Sequence, residues 1–131
     1  IGEKKKGDFS GWAILECYNK MIMKGYYEPY GVLMSAFNTY SRYAGPREAV
    51  FTAICRKNFG CNYFIVGRDH TGLGGYYSQY ASHEIFDIVD LGINILRMNQ
   101  AYFCNKCKRV VDKCIHNNKF HIENKYPQSL Y

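Results

Sequence analysis

The chain has 131 residues, is 47% hydrophobic and 21% charged, and carries a net charge of +6. That composition excludes a disordered or low-complexity chain, and the length is enough for one domain with a core. No apolar run approaches the roughly 18 residues of a membrane-spanning helix, and the basic balance favours anionic partners such as nucleotides, phosphate, sulfate or nucleic acid.

Residues 1–9 read as a basic loop around Lys4, Lys5 and Lys6, with a turn at Gly7 and Asp8. Asp8 or Ser10 is placed to cap a helix. Ile14, Cys17, Tyr18, Met21 and Ile22 follow at helical spacing and form one apolar face, and Gly25 is its expected stop. A turn around Pro29 leads to Val32–Phe37, a short apolar run bounded by Gly31 and Asn38 that predicts a buried strand. Arg42 lies in the next loop. Pro46 opens a second helix with Val50, Ala53 and Ile54 inward, and Gly60 ends it. Cys61–Val66 predicts the next strand. Residues 32–67 therefore read as strand–helix–strand, a parallel βαβ unit whose strand ends bring Arg42 and Arg68 to one crevice. A helix start is expected near Ser82 and a further strand at Ile93–Met98.

The strand ending at Val66 runs into Gly67-Arg68-Asp69-His70-Thr71. In open α/β sheets such carboxyl ends are where ligands bind. Arg68 can hold phosphate or sulfate through a two-pronged guanidinium contact. Main-chain N–H groups in a glycine-rich turn add fixed donors. His70 can bond a phosphate oxygen, and Asp69 can orient Arg68, hold a ribose hydroxyl or cap the turn. A plain tight turn with a local ion pair is the competing reading.

Of the six cysteines, Cys17, Cys55 and Cys61 lie in apolar patterns and read as small buried hydrophobes. Cys104, Cys107 and Cys114 cluster with His116, the spacing of a zinc knuckle with a second ligand arm. Lys108 to Lys113 would link the two arms. His121 is the alternative fourth ligand; His116 is preferred because its shorter tether leaves less loop to order. Four protein ligands would make the zinc structural. The basic knuckle also permits a nucleic-acid-binding module.

The string from Gly45 to Gly74, GPREAVFTAICRKNFGCNYFIVGRDHTGLG, closely resembles the signature of ATP sulfurylase (sulfate adenylyltransferase). KKKGDF at Lys4–Phe9 and RYAGPREA at Arg42–Ala49 are similar to further segments of that family. The resemblance implies a partial Rossmann-like nucleotidylyltransferase α/β sheet over residues 1–100, a zinc-binding hairpin at 101–121 and the start of a truncated segment at 122–131. It implies formation of adenosine 5′-phosphosulfate and pyrophosphate from ATP and sulfate, or the reverse, in the cytoplasm. Gly67, Arg68, Asp69 and His70 then map to ATP, and Thr71 maps to sulfate through its backbone. The resemblance also implies Arg68 and His70 as the catalytic pair. Mg²⁺ would accompany ATP, and zinc would sit on Cys104, Cys107, Cys114 and His116, as in single-function relatives with a similar FCxxC insertion. The full-length protein is expected to be a homo-oligomer without nucleic-acid or membrane partners.

Some positions depart from the family pattern. Thr71 replaces a usual alanine, Thr52 a frequent histidine, Ser41 a common methionine and Ile115 a common proline. The QxRN and HxxH segments of the family are expected upstream of Ile1. On this reading the chain is an interior piece of a catalytic domain with little activity alone. A non-catalytic nucleotide-binding relative is the remaining alternative.

Overall fold

The computed structural model describes residues 7, 9–28, 30–116, 119 and 121–123, the last two as backbone only. The expected roles of Lys4, Lys5, Lys6, Asp8 and Pro29, and the segment from residue 124 to 131, lie outside the described residues. The chain divides after Ser41 into two compact units.

The first unit holds helix α1, Gly11–Met23. Ser10 caps it: its Oγ accepts from Ala13 N at 3.2 Å and satisfies one of the orphan donors of the first turn. At the other end Gly25 turns left-handed at φ 71°. Gly25 N bonds Ile22 O at 3.0 Å and Tyr26 N bonds Met21 O at 3.1 Å, the paired closure that a glycine stop makes possible. The expected apolar face is only partly covered. Ile14, Met21 and Ile22 are half-buried, while Cys17 and Tyr18 are exposed.

Val32–Phe37 is not a strand: among the described residues it joins no sheet, and Leu33 is 96% exposed. The physical reason is the missing ladder. A strand needs a hydrogen-bonded neighbour to satisfy its main chain, and an apolar run does not by itself supply one.

The second unit begins at Arg42. Helix α2 spans Pro46–Asn58, with Pro46 at its first position and Gly45 as N-cap at φ 50°. It ends as α1 does. Gly60 is left-handed at φ 88°, Gly60 N bonds Lys57 O at 2.8 Å, and Cys61 N bonds Arg56 O at 3.0 Å. Strand β1, Tyr63–Val66, follows. The loop 67–80 leads to the short helix α3, Ala81–Glu84, and a 3-10 turn at Ile85–Asp87. Strand β2, Asn94–Arg97, then pairs with β1 in parallel, from Tyr63↔Asn94 to Val66↔Arg97.

The parallel pair thus exists, but its crossover runs through α3 and not through α2. The strand–helix–strand reading of residues 32–67 is corrected accordingly, and Arg42 does not follow a strand. Its guanidinium lies over the Phe51 ring, 4.8 Å from the centroid.

The core of this unit is small: Ala53 of α2, Phe64 and Val66 of β1, and Ile93, with Phe86, Leu91 and Ile95 packed against them. Strand β1 alternates, turning Phe64 and Val66 inward and leaving Tyr63 and Ile65 about 60% exposed. Cys55 is half-buried and Cys61 exposed. Cys61 sits in the helix stop before β1 rather than in the strand, so its expected burial is not met.

A second sheet has the order β4-β3-β5 and is antiparallel. Its strands are β3 Tyr102–Cys104, β4 Arg109–Val111 and β5 His121–Glu123. Cys104 pairs with Arg109 on one side and His121 on the other. The sheet frames the cysteine cluster.

Candidate functional site

At the carboxyl end of β1 the chain turns sharply. Asp69 and Thr71 both take positive φ, 51° and 55°, conformations that cost non-glycine residues energy and persist only when their surroundings impose them. The impositions come from both sides.

On one side stands the α3 region. Asp69 N donates to Gln79 O at 2.7 Å. Ser82 Oγ donates to His70 O at 3.1 Å. His83 Nε2 lies 3.0 Å from Val66 O and 3.2 Å from Gly67 O. Both are carbonyls, so this nitrogen must carry the proton.

On the other side stands the N-terminus of α2. Gly45 N donates to Thr71 O at 3.2 Å. Thr71 Oγ1 lies 3.2 Å from Gly45 O and 2.7 Å from His70 O, and its one proton serves these two acceptors. Gly45 is buried under Tyr77, whose ring a Cβ would strike at 2.5 Å. Glu48 is 7% exposed. Its carboxylate accepts from Arg42 N at 3.1 and 3.2 Å and from Ala44 N at 3.0 Å, which fixes the approach to the helix.

This bonding leaves a polarity. The carbonyls of Val66, Gly67, Asp69, His70 and Thr71 all accept hydrogen bonds. Among the described residues, the main-chain N–H groups of Arg68, His70 and Thr71 take no partner, and neither does the half-buried Arg68 guanidinium. Spent acceptors and available donors, with a permanent cation among them, suit an anion.

His70 adds a polar atom to the same loop. Its ring meets Phe64 edge-on at 5.6 Å, and its buried Nε2 has no partner among the described residues. Burial pushes its pKa below the usual 6.5; the Glu48 charge opposes that shift and His83 adds to it. Asp69 stands against Gly72, where any side chain would collide with its carboxylate.

The second cluster is the hairpin. Cys104 is fully buried at the end of β3, Cys107 lies in the β3–β4 turn, and Cys114 and His116 follow β4. The turn closes through Lys108 N to Cys104 O at 2.8 Å, with Lys108 at φ 56°. The three Sγ atoms and the His116 ring nitrogen lie within 4.8 Å of one another, an arrangement that could hold a metal ion.

The thiols are not equivalent. Burial would raise the Cys104 pKa, but main-chain N–H groups of Cys107 and Lys106 and the neighbouring thiols outweigh it and bring it down to about 6. Cys107 is pushed up to about 11 by its hydrogen bond with Cys114 and by burial.

His121 is outside this cluster. Its ring stacks on Tyr102 at 4.0 Å.

Sequence reasoning passed over three residues that build the loop site: Glu48, Ser82 and His83. Glu48 had a signal, since an acidic residue at the third helical position, after a cap, commonly reaches back to main-chain donors. Ser82 and His83 had none, because their partners lie 12 to 17 residues away.

The chain is therefore a mixed α/β protein with a small parallel sheet, an anion-suited loop at its carboxyl edge and a cysteine–histidine cluster fit for a metal. Comparison with known proteins gives the family. The ATP-sulfurylase family model matches residues 1–126, and the chain belongs to that family.

Among curated relatives, the sulfate adenylyltransferase of Pyrococcus abyssi is 41% identical over 125 residues, covering 93% of this chain and 33% of the relative. That of Hyperthermus butylicus is 43% identical, covering 93% and 32%. That of Chloroflexus aurantiacus is 40% identical over 127 residues, covering 93% and 33%. The chain thus spans about a third of the length of these relatives. The resemblance seen in GPREA and GRDHTG holds as membership of that family. Among the described residues no helix is long and apolar enough to cross a membrane.

Proposed function

We propose that this chain supplies one wall of the active site of a sulfate adenylyltransferase, which joins ATP and sulfate into adenosine 5′-phosphosulfate and pyrophosphate, or runs the reverse. The observation that carries the reading is the loop at residues 67–71, with its acceptors engaged and the donors of Arg68, His70 and Thr71 open.

In the forward direction a sulfate oxygen forms a bond to the α-phosphorus and the bond to pyrophosphate breaks. No covalent bond to the protein is needed, so the work is positioning and charge stabilisation. Arg68 is the fixed cation for the phosphates. Among the described residues nothing lies within 4 Å of where a Gly67 Cβ would stand, which suits close approach of a nucleotide to the main chain. Asp69, in its left-handed turn, is assigned to the nucleotide. His70, with its pKa lowered, offers a neutral ring for a phosphate oxygen. The Thr71 N–H is assigned to sulfate. Its hydroxyl is turned to Gly45 O and His70 O, so the extra group relative to alanine serves the loop and not the anion. Mg²⁺ is assigned to ATP itself.

The metal of the hairpin is assigned as zinc. Tetrahedral zinc with bonds of about 2.3 Å to sulfur and about 2.0 Å to nitrogen sets sulfurs roughly 3.8 Å apart and sulfur roughly 3.5 Å from nitrogen. The cluster has Sγ–Sγ distances of 3.5 and 3.6 Å and Sγ–Nδ1 distances of 3.1 to 3.6 Å. Cys104, Cys107, Cys114 and His116 fill all four positions, so the ion would hold the hairpin and take no part in the reaction.

The Rossmann-like sheet, the boundaries at 100 and 121, the cytoplasmic location and a homo-oligomeric full-length protein belong to the same reading. The test is sulfate-dependent pyrophosphate release by the full-length protein, with none from the 131-residue chain alone. Arg68→Ala should lower kcat/KM roughly 30- to 150-fold, the loss of a charge-assisted contact of about 2–3 kcal/mol. A full-length protein that releases no pyrophosphate from ATP and sulfate would overturn the reading.

A further inference from the structure

Gly67 presents a puzzle of support. Its φ is not left-handed, and a Cβ there would meet nothing within 4 Å among the described residues. Neither backbone shape nor crowding holds this residue, and glycine is the softest hinge a chain can have. Yet the peptide between Gly67 and Arg68 determines where the Arg68 side chain and N–H point. If that peptide rotates, the guanidinium leaves its place.

The group that holds the peptide is His83. It is 8% exposed, and its ring lies 5.2 Å from that of Tyr80. Its Nε2 proton is shared between Val66 O at 3.0 Å and Gly67 O at 3.2 Å. Val66 O also takes the sheet bond from Met98 N at 2.9 Å, so Val66 is fixed without His83. Among the described residues, Gly67 O has His83 as its donor.

We infer that His83 is a positioning residue for the anion-binding loop: it locks the Gly67–Arg68 peptide and so aims Arg68, without touching the ligand itself. The inference rests on the sulfate adenylyltransferase reading only for its activity readout.

Two variants separate positioning from packing. His83→Phe keeps the ring and the contact with Tyr80 but removes the donor. His83→Gln keeps a donor, and its amide carries two protons for the two carbonyls. Both are made in the full-length protein.

Hydrogen exchange followed by mass spectrometry on the peptide covering residues 67–72 reads the loop directly. His83→Phe should speed exchange at Asp69 and Gly72 at least fivefold, and His83→Gln should restore the wild-type rate. In the pyrophosphate-release assay His83→Phe should lower kcat/KM for ATP about tenfold, and His83→Gln should return it to within threefold.

Wild-type exchange in His83→Phe would overturn the inference whatever the activity does. Faster exchange with an unchanged kcat/KM would overturn it too, leaving His83 a core residue only. If the wild-type protein releases no pyrophosphate, the sulfurylase reading fails, and the exchange result alone decides for or against His83.

Discussion

The loop at residues 67–71 and the hairpin at 102–116 both hold polar side chains in tight turns, but by opposite means. The hairpin brings its four candidate ligands from thirteen consecutive residues, with their ligand atoms within 4.8 Å of one another. The loop takes its support from Gly45, Gln79, Ser82 and His83, with Glu48 bracing the approach to Gly45. One site gathers its metal-ligating side chains along a short stretch of chain. The other is held by hydrogen bonds between segments distant in sequence. The difference teaches where each is fragile: the hairpin should fail all at once, and the loop by degrees.

The largest effect should follow metal removal. Structural zinc contributes apparent free energies of about 10 kcal/mol or more to small sites. Elemental analysis should find one zinc per chain, and Cys107→Ser should abolish stoichiometric binding. Chelation should raise hydrogen exchange throughout residues 102–123 while residues 63–66 and 94–97 keep their protection. A hairpin that keeps its protection without metal would erase the contrast between the two regions.

A smaller effect is expected at Glu48. Glu48→Gln removes the negative charge and leaves one acceptor oxygen where two now serve Arg42 N and Ala44 N. The cost should be about 1–3 kcal/mol in denaturant titration, the range for a buried hydrogen-bonding group left unsatisfied. An unchanged midpoint would mean that the approach to α2 does not depend on this carboxylate.

The smallest effect concerns His70. Its folded-state pKa lies below the usual 6.5 because burial disfavours the charged ring. The unfolded chain therefore binds more protons in the window between the lowered value and 6.5. Stability should rise with pH across that window and fall as the pH drops through it. His70→Asn should flatten this dependence. A stability profile identical to wild type below pH 6.5 would show that the ring titrates as if exposed.

The same contrast explains what the sequence disclosed. The hairpin was readable because its ligands are near neighbours: Cys104, Cys107, Cys114 and His116 were all named from spacing, and His121 went instead to the Tyr102 ring. Both long helices were readable from Ser10, Gly25, Pro46 and Gly60, which act within one turn. The strand at Val32–Phe37 was misread because apolar content cannot say whether a partner will be there. The true partner of β1, Asn94–Arg97, was seen as a strand but not as its neighbour. In the loop, Arg68 and His70 stood out by residue type, while the residues that steady them did not.

One feature of the loop bears on how it can change. The hydrogen bonds from Gln79, Ser82 and His83 end on Asp69 N, His70 O, Val66 O and Gly67 O, all main-chain atoms. These bonds therefore do not read the side chain at position 68, whereas the His70 ring is also packed against Phe64. The Arg68 prong is exchangeable: a different side chain could be mounted on the same socket, altering the charge it presents without asking the chain to refold.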